Sequence, residues 1–483
     1  MGRKPRTSCA DCQRLRAQLA AQQAQINGLQ TTSRQLQQQV ARLQEQLAHA
    51  GKDSSTSSKP PSSDLVKPPK PPPPDGQAMR APGGQPGHPR HQRPLVPPEL
   101  LRGDPHTHTP EICPHCGQGL QAADLPPRVV QQVEVETVPL RVEEHRALAG
   151  WCRQCQQLHY AALPSAVERG GLVGPRLTTL IAYLKGACHA SYSTIRKFLR
   201  DVLQVSISRG QLAKVIGKVS RALDGPYQEL LERLPAQARL NVDETGHNDR
   251  GERWWTWCFR ASLYTLFKID PTRSGDVLLG VLGDEFNGVL GCDYFSAYRR
   301  YMRECEAVVQ FCLAHLIRDV KFLTTLPDGR DRAYGARLRE GLRALFGVIH
   351  RREELGPRTF QWQLEAARDE VLAQARTDVP PTPHSRNLAK RFERHGEAYF
   401  EFVTTPDVEP TNNLAEQAIR FVVIDRQITQ GTRGEAGRRW CERIWTVVAT
   451  CAQQGRSVFE YLCAATAAFF QQAAVPSLLS EVK

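Results

Sequence analysis

Residues 51–103 divide this chain. The stretch KPPSSDLVKPPKPPPPDGQAMRAPGGQPGHPRHQRP is proline-rich, studded with Lys and Arg, and nearly free of aromatic side chains. It holds too little apolar surface for a core and reads as an extended tether. Its cations suit a phosphate backbone; a solvated spacer is the other reading. Whatever folds must therefore do so separately on either side of it. The chain has 483 residues, 40% of them hydrophobic and 23% charged, enough for about three or four domains. No apolar run approaches the ~18–20 residues of a spanning helix, so an integral membrane protein is not expected. The basic N-terminus MGRKPRTSCADC lacks the apolar segment of a secretory leader, and the expectation is a cytoplasmic protein.

Before the tether, Leu15, Leu19, Gln22, Ile26, Leu29, Ser33, Leu36, Val40, Leu43 and Leu47 alternate steps of four and three. That spacing is the a/d seam of a coiled coil within residues 1–50. Gln22 and Ser33 interrupt it, a device that fixes register or oligomer state. The seam predicts a homo-oligomer, at least a dimer; a helix docked on its own protein is the alternative.

After the tether, residues 104–163 contain Cys113, Cys116, Cys152 and Cys155, two C-x-x-C pairs 35 residues apart with VVQQVEVETVPLRV between them. Two such turns complete the tetrahedron of a structural Zn2+, giving a zinc-ribbon-like unit; four buried free thiols are the alternative. Cys9 and Cys12 form a third pair with no fourth nearby.

Residues 164–237 read as amphipathic helices, with Ser206–Ile207–Ser208 marking a capped start before Gln211. A short helix, a turn and a basic helix suit a helical DNA-binding module of helix-turn-helix kind; plain helical packing is the alternative. From residue 238 the pattern becomes strand, strand, strand, helix, strand, and AVVQFCLAHLIRDV adds a strand running into a helix. A three-strand meander followed by a helix and parallel strands is how an RNase H-like domain begins. Residues 238–320 are thus its first part, residues 321–405 a helical insertion without strand signal, and residues 406–483 its C-terminal helices. The fold class expected is multidomain α+β and α/β. Trp254, Trp255 and Trp257 alternate on a strand and suit core packing better than base stacking.

Asp243 ends one apolar strand, in VDETG, and Asp293 ends another, in CDYFSAY; Glu416 follows the helix-start signal Pro410-Thr411-Asn412-Asn413. Two strand carboxylates and one helix carboxylate make a hard-oxygen cage for two Mg2+ (or Mn2+) ions about 3.5–4 Å apart, the apparatus of phosphodiester transfer. Any one of these acids alone suits a turn or a surface position equally well; the order and placement of the three carry the reading. The net charge of +13 fits a polyanionic partner, and 14 Lys/Arg against 6 Asp/Glu in residues 1–100 place eight of those charges in the first fifth.

Together with SSKPPSSD, GGQPGH, CPHCG…CRQC, CLAHLIRD and EPTNNLAEQAIR, these motifs resemble the DDE transposases of the insertion-sequence-66 type, over nearly the whole chain. The resemblance implies that Asp243, Asp293 and Glu416 are the catalytic, metal-holding triad. It also implies an all-helical insertion before the Glu, an N-terminal half that recognises terminal inverted repeats, and companion proteins of the same element. The partners expected are those repeats and target DNA, in a protein that is nucleoid-associated when bound and has no membrane. Cys312 and His315 match the family's Cys-x-x-His pattern after the second Asp. His315 then either touches DNA near the site or supports its helix. Arg318, Arg420, Arg426 and Arg433 suit phosphate contacts, or else a solvated basic face. Where many relatives place Lys after the arginine, Gln427 follows Arg426 here. A non-catalytic DNA-binding regulator and a structure-specific nuclease are the competing function classes.

Overall fold

A computed structural model describes residues 10–50, 52, 95, 97, 118, 140–152, 154 and 157–479. The chain divides into two units. Of the described residues, the smaller unit holds 95, 97, 118, 140–144 and 201–205, with an exposed Arg141–Glu143 ion pair of 2.8 Å. Everything below concerns the larger unit.

Helix α1 runs unbroken from Ala10 to Ala50. Its seam is solvent-facing: Leu15, Leu29 and Leu47 are 60%, 63% and 74% exposed. Only the last turn meets the rest of the chain. There His384 Nε2 lies 2.8 Å from Glu45 Oε1, and the His49 ring sits 5.1 Å from that of Phe322.

Strands β1 (Ala149–Cys152) and β2 (Gln157–Tyr160) pair antiparallel, with Cys152 opposite Gln157. Of the expected zinc ligands, Cys113, Cys116 and Cys155 lie outside the described residues, and Cys152 is described only by its place at the end of β1. Most of the strand signal before this hairpin also lies outside them. Its last residues, 140–142, form no strand.

Five helices follow: α2 (Ser165–Gly170), α3 (Pro175–Gly186), α4 (Tyr192–Leu203), α5 (Arg209–Ala222) and α6 (Asp224–Glu232). The Gln211 N–H donates to Ser208 Oγ at 3.1 Å, capping α5.

The central sheet comprises β3 (Arg239–Asp249), β4 (Glu252–Arg260), β5 (Thr265–Asp270), β6 (Val289–Cys292) and β7 (Val308–Phe311), in the order β5-β4-β3-β6-β7. The first three strands form an antiparallel meander, and β6 and β7 add in parallel. Crossover helices α7 (Gly275–Leu282) and α8 (Ser296–Glu304) precede β6 and β7, and α9 (Leu313–Leu323) leaves the last strand. Leu240, Val242, Trp257, Phe259, Phe267, Leu290 and Val309 are buried in this core. Next come α10 (Gly329–His350), α11 (Pro357–Arg376), α12 (Pro383–His395), a 3-10 turn at Glu397–Tyr399 and α13 (Glu401–Thr404). Among the described residues this insertion contains no strand.

The chain closes with α14 (Asn413–Thr429), α15 (Glu435–Gln453) and α16 (Val458–Gln471). Helix α14 lies on β3 and β4, while α15 and α16 pack with α3 and α5. Helix α15 also covers the open edge of β5. Glu442, Thr446 and Thr450 accept the outward N–H groups of Ile269, Phe267 and Thr265 at 2.7, 3.1 and 3.2 Å. Residues four apart on a helix advance about 6.0 Å, and residues two apart on a strand about 6.6 Å. The two ladders therefore match, and an edge that would otherwise template pairing is closed. No helix among the described residues is long and apolar enough to cross a membrane.

Candidate active site

The period-two alternation of β3 sorts its side chains onto two faces. Leu240, Val242 and Glu244 are buried in the interior, where Glu244 meets α8. Asn241, Asp243 and Thr245 point the other way, toward α14. Asp243 accepts the Glu244 N–H at 3.0 Å. Asp293, just past β6, accepts the Phe295 N–H at 2.9 Å, an Asx-type turn that aims its carboxylate across the ends of the parallel strands.

Glu416 is carried to these two by a clamp. Asn412 stands at the start of α14, where an Asn normally caps the helix, but its side chain makes no capping bond. Buried, it instead accepts from Asn241 Nδ2 at 3.0 Å and donates to the Val242 carbonyl at 2.8 Å. The Asn412 backbone N–H reaches Cys312 Sγ at 3.1 Å, and the Leu313 N–H donates to the Pro410 carbonyl at 2.9 Å. The segment before α14 is thus tied both to the Asp243 strand and to the start of α9. Gly291 makes room for this: a Cβ there would stand 2.5 Å from Asn241 Nδ2.

Helix α9 contributes His315 and Arg318. His315 Nδ1 lies 3.6 Å from Glu416 Oε1, and Arg318 Nη2 lies 3.8 Å from Glu416 Oε2. Burial, with the charges of Arg318 and Arg391, pushes His315 down to about 4, so its ring is neutral at pH 7. Cys312 is buried and pushed up to about 11, so it accepts from Asn412 as a thiol.

The three acids lie within one another's field. Burial raises Asp243 well above the usual carboxylate range, and the charges of Glu244, Asp293 and Glu416 add to this. Asp293 is raised by burial against the pull of the Phe295 N–H and Arg273. Glu416 is raised by burial against Arg318 and Arg420. Such a cluster holds excess negative charge that no protein group cancels. Buried Glu416 Oε1 and His315 Nδ1 each lack a hydrogen-bond partner, and the donor atoms of Cys312, His315 and Glu416 lie within 4.8 Å of one another. Hard carboxylate oxygens with unfilled lone pairs and mutual repulsion fit a divalent cation of the Mg2+ or Mn2+ kind.

A second group escaped the sequence reading. Glu244 is buried beside Asp243, takes the Arg273 Nε–H at 2.7 Å and accepts from the Tyr298 hydroxyl. The Arg273 guanidinium also stacks over the Phe295 ring at 3.8 Å. The only local signal was the second acid of VDETG. Asn412 was readable as a cap, not as a clamp.

The other arginines divide. Arg426 Nη1 donates to Thr245 Oγ1 at 3.2 Å and is half-buried. Arg420 is exposed one turn beyond Glu416, and Arg433 is exposed beyond α14. Trp257 is fully buried; Trp254 and Trp255 lie under Arg438 and Arg273.

Residues 170–439 match the family described as Transposase IS66, and residues 9–94 match a family of unknown function. An uncharacterized protein of Sinorhizobium fredii (strain NGR234) is 24% identical over 351 residues. The alignment covers 62% of this chain and 60% of that protein's length.

Proposed function

The chain belongs to the IS66 family of transposases, and from that premise we propose that it binds the terminal inverted repeats of an insertion sequence and cleaves and joins DNA strands. One observation carries the catalytic reading: carboxylates from β3, the end of β6 and the first turn of α14 converge until each feels the others' charge. The strand order and the mix of antiparallel and parallel pairing support an RNase H-like catalytic domain.

In this reading Asp243, Asp293 and Glu416 hold the metal. When bound, a pair of divalent cations supplies Lewis-acid assistance to the attacking and departing oxygens. Asn412 fixes Glu416 against the Asp243 strand, and Arg318 orients the Glu416 carboxylate. Arg420 and Arg426 face the substrate phosphates, and neutral His315 supports Glu416 without adding positive charge. In the first step a water oxygen attacks the scissile phosphorus, the bond to the 3′ oxygen breaks, and that oxygen leaves as a 3′-hydroxyl. In the second step the hydroxyl attacks a target phosphodiester and displaces the target's own 3′ oxygen. One phosphodiester is lost for each one formed, so no covalent protein intermediate is needed.

The open seam of α1 supports a dimer that holds two ends together. Cys113, Cys116, Cys152 and Cys155 are proposed as a structural zinc site on the strength of their spacing. Target DNA and companion proteins of the element complete the proposed partners.

The test uses Asp243→Asn, Asp293→Asn and Glu416→Gln in the full chain, assayed on DNA carrying the element's ends with magnesium. Strand transfer should be lost in all three while end binding survives. Full activity in any one removes that residue from the triad. A wild-type chain that shifts DNA identically with and without magnesium, and never nicks it, is a DNA-binding regulator instead.

A further inference from the structure

A groove of about 430 Å³ opens beside Asp293, between α8 and α12. Tyr294, Arg299, Asp319, Lys390, Arg391 and Arg394 shape it. Arg391 and Asp319 are already spent on each other, with both Nη atoms 2.8 and 2.9 Å from Asp319 Oδ2. Arg391 also donates from Nε to the Tyr399 hydroxyl at 2.6 Å. Its role is to hold the wall: the Tyr294 ring lies between Arg391 at 4.1 Å and Arg299 at 4.6 Å.

The remaining cations have no such partner. Arg299 Nε is buried without a hydrogen-bond acceptor. Lys390 and Arg394 are exposed on α12 and form no ion pair among the described residues. A concave surface with three uncompensated cations, one of them carrying an orphaned buried N–H, calls for an anion. Its place narrows the choice. Tyr294 directly follows Asp293, so a strand whose scissile phosphate sits at the carboxylates must pass this wall, and DNA offers a negative charge for about every 1.7 Å of helix axis.

We propose that this groove binds a phosphodiester of the DNA strand next to the scissile bond, and that the helical insertion, through Lys390 and Arg394 of α12, forms part of the DNA path. The proposal rests on the transposase reading and adds a substrate subsite to it.

The experiment measures binding of the full-length protein to a labelled duplex oligonucleotide by fluorescence anisotropy, across a salt series without divalent metal. Each lost phosphate contact should lower the slope of log affinity against log salt by about 0.9, so Arg299→Ala/Arg394→Ala should lower it by about 1.8. Arg299→Lys/Arg394→Lys should stay close to wild type. Lys390→Ala/Arg394→Ala, which removes only exposed side chains, should repeat the loss without disturbing the packed wall. Arg339→Ala/Arg343→Ala, on an exposed face of α10, should leave the slope unchanged. A wild-type slope in both alanine doubles overturns the proposal. So does displacement of the oligonucleotide by inorganic phosphate at matched ionic strength, which would assign the groove to a free anion. Binding is read without metal, so a chain that shows these slopes yet never cleaves DNA sinks the catalytic reading alone. Cleavage by a chain with an unchanged slope sinks the groove alone.

Discussion

Asn412 donates to the Val242 carbonyl at 2.8 Å, so the residue that starts α14 is bonded to the residue just before Asp243. With Asn241 donating to the same side chain at 3.0 Å, the spacing between the β3 acid and the helix acid is set by one buried amide.

Replacing that amide should therefore misplace Glu416. Asn412→Ala leaves the Val242 carbonyl and the Asn241 amide unpaired, at a cost of about 1–3 kcal/mol for each buried orphan. Single-turnover strand cleavage should fall by about tenfold to a hundredfold, as for a displacement on the order of 1 Å, while DNA affinity holds. Unchanged cleavage with a lowered melting temperature would make Asn412 a fold residue only.

Crowded carboxylates predict a trade of stability for activity. The folded-state values of Asp243, Asp293 and Glu416 are raised. The folded chain therefore binds more protons here than the unfolded one, and this contribution to stability declines as pH rises above the unfolded carboxylate range. Asp243→Asn should stabilise the metal-free protein at pH 7 by about 0.5–2 kcal/mol while abolishing cleavage. Magnesium should raise the melting temperature of wild type more than that of the variant. Destabilisation of the metal-free variant would contradict the repulsion.

Glu244 and Arg273 form a buried pair, 2.7 Å from Nε to Oε1. Arg273→Ala strands the Glu244 charge, an effect of about 3–5 kcal/mol for a broken buried pair, measurable by urea denaturation. Glu244→Gln should cost less, since the amide can still accept from Tyr298. Equal losses would mean that the charge itself is unimportant.

His247 gives the opposite pH sense. Its ring is buried between Thr432 Oγ1 at 2.9 Å and Thr256 Oγ1 at 3.3 Å, and burial, then Arg426, push it down to about 4. Between the ordinary histidine value near 6.5 and 4, the unfolded chain takes a proton that the folded one refuses. Its contribution is full above about pH 6.5 and lost as pH falls toward 4, at most about 3 kcal/mol. In urea titrations across that window, His247→Gln should flatten the acid side of the stability profile. An unchanged profile would exclude His247 as its source.

The α1 seam should set assembly. Leu29→Lys with Leu36→Lys places charge at two exposed seam positions, 63% and 56% accessible in one chain, and should convert a dimer to a monomer in light scattering while metal-dependent nicking persists. A wild-type monomer at micromolar concentration would refute the zipper reading.

Local pattern was enough to read much of this molecule. The change from period 3.6 to period 2 near residue 238, the meander, the strandless insertion and the acids at two strand ends are properties of short windows, where alternation and caps act within a few residues. Tertiary structure alone decided what closes the site. Asn412 looks like a helix cap in its own window but bonds a strand about 170 residues away. Glu244 looks like a duplicate of Asp243 until Arg273 and Tyr298 neutralise it on the opposite face. The edge of β5 looks open until Glu442, Thr446 and Thr450 arrive from α15. Periodicity selects which face of an element is buried. The hydrogen-bond partner a buried polar group finds depends on which distant element packs against that face, and no local window carries that information.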